Sequence, residues 1–236
     1  MFGVEIVGSI SIGPHSIEVL KFESHTLYRR ITDGKHVKEL LVDPSLELRL
    51  VPIYPVFYPR FLTQYILCKF EKPITVAPGN SVSLYIEIPI DAAIYAYNKS
   101  SFTILDILPL HTTPKLILYG PLSGGVLARY CIANIRDHLD HRPRLGIAIA
   151  KLTIRNNTKS IATVNKILLD ASPLRLYYIP NDLRVYTQEI TMNIVSSTSA
   201  IVSYGQPFVE NAKPIDDPHE LKPPRIYNRT DMLWGY

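Results

Sequence analysis

Between Ser81 and Ile90 the side chains alternate with a period of two. Val82, Leu84, Ile86, Ile88 and Ile90 are apolar, and Ser81, Ser83, Tyr85, Glu87 and Pro89 stand between them. Successive side chains of an extended strand point to opposite faces, so the pattern requires a strand with one buried side. The same period runs through Leu46, Leu48 and Leu50 against Glu47 and Arg49, and through Leu152 and Ile154 against Lys151, Thr153 and Arg155. In 183–194 the apolar phase slips, from Leu183 and Val185 to Ile190, Met192 and Ile194. Such a slip predicts a bulge in one long strand, or two strands.

Turn signals punctuate these strands. Ala77-Pro78-Gly79-Asn80 precedes the clearest one, and Asn156-Asn157-Thr158-Lys159-Ser160 separates the apolar runs 147–154 and 161–169. Short strands at such spacing predict an all-β protein. A soft boundary at Pro109-Leu110-His111-Thr112-Thr113-Pro114 divides it into two tandem immunoglobulin-like β-sandwich halves, 1–110 and 111–205. One large sandwich fits nearly as well. The stretch 129–141 is the one candidate for a short helix, stopped by Arg142-Pro143-Arg144. From Gln206 the strand pattern gives way to prolines among charges, so 206–236 is expected to be an extended Pro-rich arm.

The chain has 236 residues, 47% of them hydrophobic, enough to bury a core. A net charge of +4 excludes a heavily basic nucleic-acid coat, and two cysteines exclude a disulfide scaffold and a four-cysteine zinc site. The usage of 19 Pro against 3 Met resembles that of a thermophile. Glu5 interrupts the first apolar run, so no secretory signal is expected. No stretch approaches the roughly 18 apolar residues of a membrane span. These features predict a cytoplasmic protein without a transmembrane segment. The triplets at Asn98, Asn156 and Asn228 then read as turns rather than glycosylation sites.

Several segments carry a family resemblance. They are Met1-Phe2-Gly3, the Pro52–Pro59 stretch, and Phe70-Glu71-Lys72-Pro73 through Pro78-Gly79 to Ile88-Pro89-Ile90. Leu118-Tyr119-Gly120-Pro121 with Val126-Leu127-Ala128-Arg129-Tyr130, and Leu152-Thr153-Ile154-Arg155-Asn156, belong with them. The chain resembles the archaeal domain-of-unknown-function family 432 over most of residues 1–200, with the arm unmatched. The resemblance implies an archaeal source. It brings no activity, cofactor or catalytic residue with it.

Chemistry was sought at each clustered motif. Asp137, His138, Asp140 and His141 in Arg136-Asp137-His138-Leu139-Asp140-His141-Arg142 have metal-ligating side chains, yet a structural site needs four well-placed ligands, no second cluster accompanies them, and a solvated connector explains the segment more simply. Gly120-Pro121-Leu122-Ser123-Gly124-Gly125 lacks the Lys-Ser/Thr pair of a phosphate loop. If it held an anion, the backbone of Gly124 and Gly125 with Arg129 would do so. Cys68 sits in an apolar run, and a bond to Cys131 is disfavoured in a cytoplasm. No catalytic residue and no cofactor is assigned.

Binding surfaces are more promising. The proline-spaced Val51–Pro59 segment cannot be a central strand, and it offers Tyr54, Phe57 and Tyr58 as aromatic anchors. The arm ends Leu233-Trp234-Gly235-Tyr236, and Leu233, Trp234 and Tyr236 exposed together need somewhere to dock. Tyr28-Arg29-Arg30 and Arg142-Pro143-Arg144 are too diluted by acids to favour nucleic acid. The sequence therefore favours a non-catalytic accessory protein with a protein partner, or self-association through the arm, by strand addition at sheet edges. Its competitors are a metal- or anion-dependent enzyme with a site near 120–144, and nucleic-acid or carbohydrate binding through exposed tyrosines.

Overall fold

A computed structural model describes residues 1–58, 62–99, 101–111, 115–122 and 124–216, and the backbone of 229–233. Among the described residues every regular element is a strand. An antiparallel meander comes first: β1 (Gly8–Ile12), β2 (His15–Lys21), β3 (Thr26–Thr32) and β4 (Lys35–Val42). Next in the chain are β5 (Glu47–Ile53), β6 (Tyr65–Val76), β7 (Ser81–Pro89), β8 (Asp91–Asn98) and β9 (Ser101–Leu108). Of these, β5, β8 and β9 form a three-stranded antiparallel sheet.

The remaining strands are β10 (Lys115–Tyr119), β11 (Val126–Ala133), β12 (Ile135–Arg136), β13 (Ile147–Asn156), β14 (Ala162–Asp170), β15 (Leu176–Tyr178), β16 (Val185–Ile194), β17 (Ser199–Pro207), β18 (Lys213–Pro214) and β19 (Arg229–Leu233). One sheet has the order β10-β11-β6-β14, with β11 and β6 parallel. The other runs β12-β7-β13-β16, with β13 and β16 parallel. Beyond β16, one end pairs with β15 and then β18, and the other with β17 and then β19.

The alternation seen in the sequence is the burial pattern. Leu84, Ile86 and Ile88 of β7 are buried, as are Leu152 and Ile154 of β13, and both strands join an apolar cluster with Ile66, Cys68 and Phe70 of β6. Each such aliphatic side chain contributes about 1.5–3 kcal/mol when withdrawn from water. The slipped phase at 183–194 is one strand, β16, whose register shifts against β17 between Gln188 and Ile190. Both turn signals form turns. Gly79 takes φ +68°, the left-handed region that glycine enters without strain. Asn156, fully buried, donates to the carbonyls of Val76 and Ser160 and accepts from Thr158.

The meander is fastened to β9 by charge. Asp106, 6% exposed, accepts the Tyr28 hydroxyl at 2.7 Å and pairs with Lys38 at 3.2 Å and Arg30 at 3.4 Å. The first residues are also tied in. Phe2 is fully buried, its carbonyl accepts from Asn181, and the Gly3 N–H donates to Leu50.

Three expectations need correction. The stretch 129–141 is no helix: it holds most of β11 and all of β12, because β6 and β7 stand beside it to take up its backbone hydrogen bonds. A division at 110 cuts through paired strands, since β6 pairs with β11 and β14 and β7 pairs with β13. Residues beyond 206 are not all an unpaired arm: Tyr177 and Tyr178 pair with Pro214 and Lys213, and Ser199 to Ser203 pair with Leu233 to Arg229.

Candidate functional site

A cavity of ≈ 370 Å³ opens where β11, the end of β7 and the start of β8 meet residues 109–111. Proline, isoleucine and tyrosine side chains supply much of its wall, and Glu87, Asp91, His111, Lys115, Arg129 and Cys131 also line it. Such a mixture of apolar wall and a few converging polar groups is the usual make-up of a small-molecule site.

The short segment after β9 closes one side and is held at three points. His15, 4% exposed, donates from Nε2 to the Pro109 carbonyl at 2.7 Å, and in its neutral form Nδ1 accepts from the Thr32 hydroxyl at 2.9 Å. Asp91 accepts the Leu110 N–H at 2.9 Å. His111 donates from Nε2 to the Gly146 carbonyl at 2.7 Å, which leaves Nδ1 as the basic nitrogen of the neutral ring. The segment that the sequence offered as a domain boundary is, over 109–111, a wall of the cavity.

Arg129 comes from the middle of β11, on the face it shares with Ile66 of β6. It is 3% exposed and donates to the Tyr58 carbonyl. Burial disfavours its charge and lowers its pKa, and the nearby Asp91 charge works the other way. Asp91 is 5% exposed. Burial raises its pKa, against the Leu110 N–H and the charges of His111, Arg129 and His15. Glu87 is treated differently. Burial again opposes its charge, but hydrogen bonds from Arg136 and Asn134 and the Arg144 and Arg136 charges outweigh it, so its pKa lies below the ordinary value. The ion pairs to Arg136 and Arg144 satisfy Glu87. The cavity thus has one compensated carboxylate, one whose charge is disfavoured, and the cations Arg129 and Lys115.

The sequence-derived candidates fare unequally. Arg129 lies in the cavity, but Gly124 and Gly125 do not join it: their N–H groups donate to the Pro121 carbonyl within their own turn. A backbone so engaged has no amide pair to offer an anion. Asp137 and His138 are exposed and hydrogen-bonded to each other, and His141 faces the Tyr186 hydroxyl at 3.4 Å. No group of three or more metal-ligating side chains exists among the described residues. Of the aromatic anchors, Tyr54 is buried in the core, Phe57 is half-buried against it, and Tyr58 is exposed and lines the cavity. Leu233 ends β19, and Trp234 and Tyr236 lie outside the described residues.

The family model described as "Protein of unknown function (DUF432)" matches residues 1–232. The chain belongs to that family. No curated protein and no solved structure matches it. The DUF432 match takes in the cavity and extends past residue 200, so most of the C-terminal segment is family sequence rather than an unmatched addition. Among the described residues there is no helix long and apolar enough to cross a membrane.

Sequence reasoning missed Asp91, Glu87, His111 and Lys115. A signal existed for Asp91: it is the only charge in the run Ile88-Pro89-Ile90-Asp91-Ala92-Ala93-Ile94. A carboxylate inside a buried strand is costly without a reason to be there. Glu87 gave no signal, because it occupies a position where alternation predicts a solvated residue.

Proposed function

We propose that this DUF432 protein is a non-catalytic binding protein that holds a small organic monoanion, a carboxylate, in the cavity at Arg129. One observation carries the reading: a cavity of ≈ 370 Å³ brings Arg129, Lys115, His111 and Asp91 together from four segments against apolar walls. A guanidinium withdrawn from water interacts strongly with a carboxylate, because little solvent screens the pair. Asp91 and Glu87 set the charge of the ligand. Each further negative charge on a ligand is repelled by these carboxylates, of which Glu87 is already compensated by Arg136 and Arg144 and Asp91 has its charge disfavoured by burial.

The reading keeps the binding class that the sequence favours and moves its means from the arm to the cavity. Backbone pairing of β19 with β17 places part of that arm in the protein's own sheet. We take the β6-β11-β14 and β7-β13-β16 sheets as an immunoglobulin-like sandwich serving as a rigid holder, since both feed one apolar cluster.

The test is thermal unfolding with a panel of monocarboxylates and inorganic phosphate. A ligand that binds only the folded state raises the unfolding temperature by mass action. At least one carboxylate should stabilise the wild type, phosphate should do so less, and Lys115→Gln should reduce the effect. Lys115 is exposed, so this variant leaves the fold intact. If no carboxylate stabilises the protein, the reading is wrong.

A further inference from the structure

An apolar lane lies on the face of the β10–β11 pair that carries Arg129. In the β10–β11 pair Leu116 lies directly opposite Arg129, and Leu118 opposite Leu127. Opposite residues of an antiparallel pair project from the same face. Leu116, Leu118 and Leu127 therefore share the face that carries Arg129. They are 42%, 43% and 40% exposed, three large aliphatic side chains left open in one patch. Lone exposed leucines are ordinary, but a contiguous group beside a cavity marks a contact surface. Among the described residues β10 pairs with β11 alone.

Polarity runs in one direction along this surface. At one end stands Arg129, which lines the cavity. Toward the β10–β11 turn, the Arg129 face carries Leu127 and Leu118. A ligand that complements such a surface has one negative charge at one end and an aliphatic chain at the other. The ionic part of the argument rests on the reading of the cavity as a carboxylate site.

We propose that the ligand is an amphiphilic monocarboxylate of the straight-chain fatty acid class, its carboxylate at Arg129 and its chain lying over Leu116, Leu118 and Leu127. The cavity orients the head, and the lane takes the chain out of water.

The experiment is calorimetric titration of the full chain with acetate, butyrate, octanoate and dodecanoate, each below its micelle-forming concentration. Burial of methylenes strengthens binding by about fourfold per CH₂. Affinity should therefore climb steeply from butyrate to dodecanoate. The double variant Leu116→Ser/Leu118→Ser should flatten that climb. Dodecyltrimethylammonium, with the same chain and the opposite charge, should bind at least tenfold more weakly than dodecanoate. Equal affinity for butyrate and dodecanoate overturns the amphiphile and leaves the carboxylate site standing. A climb that survives in the double variant overturns the placement of the chain. Equal binding of the cationic amphiphile, or no binding by any carboxylate, overturns this inference and the site reading together.

Discussion

Cys131 and Cys68 lie directly across from one another on the parallel strands β11 and β6, with their sulfurs 3.2 Å apart. Cys68 is fully buried and Cys131 is partly exposed at the cavity wall. The hydrogen bond from Cys131, with burial behind it, holds the Cys68 thiol well above its ordinary pKa, so Cys68 is a poor first nucleophile. Neighbouring strands stand about 4.8 Å apart, within the span a disulfide bridges. A small symmetrical disulfide should therefore react at Cys131, which loses its proton and displaces one thiol. Cys68 then attacks the mixed disulfide, loses its proton and releases the second thiol. Mass spectrometry of the treated, unfolded protein should show the mass of two hydrogens lost and no retained adduct. A stable adduct on Cys131 would show that the two sulfurs do not react together.

The cost of burying Asp91 should be visible as a pH effect. Its pKa is raised in the folded protein, so the folded state binds the proton more tightly than the unfolded state. Below the ordinary carboxylate range both states are protonated and there is no penalty. As pH rises through the folded value, the penalty grows to its full size. Asp91→Asn keeps an oxygen to accept the Leu110 N–H and removes the charge. The variant should unfold at a higher temperature than wild type near neutral pH, and the gap should close as pH falls toward ~4. Thermal unfolding of both proteins across that interval decides it. A gap that widens in acid would contradict the assignment.

Asp106 offers the opposite case, a buried carboxylate that is compensated. Asp106→Ala leaves the buried Arg30 guanidinium its bond to the Ile107 carbonyl but no carboxylate, and removes the partner of Tyr28. Stranding a buried charge costs about 3–5 kcal/mol. Asp106→Asn retains an acceptor and should cost less. Urea unfolding of the two variants should rank them in that order. If both match wild type, the meander is not fastened through this carboxylate.

At the end of β13 a single amide satisfies four groups. Asn156→Ala leaves the Val76 and Ser160 carbonyls and the Thr158 donors without it. Loss of buried hydrogen bonds of this kind costs roughly 1–3 kcal/mol each, partly recovered by water. Asn156→Asp is isosteric, yet turns its oxygen toward two carbonyl oxygens, so it should destabilise at least as much near neutral pH. Chemical denaturation gives the comparison, and an Asn156→Asp protein as stable as wild type would refute it.

The strands were legible because their signal is local. Val82 to Ile90 and Leu152 with Ile154 carry their burial in their own spacing, and the phase slip before Ile190 carries the register shift. The 129–141 segment misleads because the deciding partners, β6 and β7, lie some fifty residues away in sequence, and propensity is overridden by pairing. The cavity was hidden for the same reason. Asp91, His111, Lys115 and Arg129 are brought together by sheet order, which periodicity does not encode. Gly124 and Gly125 looked available in sequence because nothing there shows that the Pro121 carbonyl takes both N–H groups.

The sheet order also sets a timetable for the ribosome. Ile66 of β6 must wait for Arg129 on one side and for Leu169 on the other. At about 5–20 residues per second, the roughly one hundred residues that separate Ile66 from Leu169 take on the order of 5–20 s to make. Until Arg129 is made both edges of this apolar strand are open on the nascent chain, and from then until Leu169 one edge stays open. A polypeptide interrupted before Leu169 has its aggregation-prone edge fully formed and its cure not yet synthesised, so premature termination should be far more damaging to solubility than its lost length suggests.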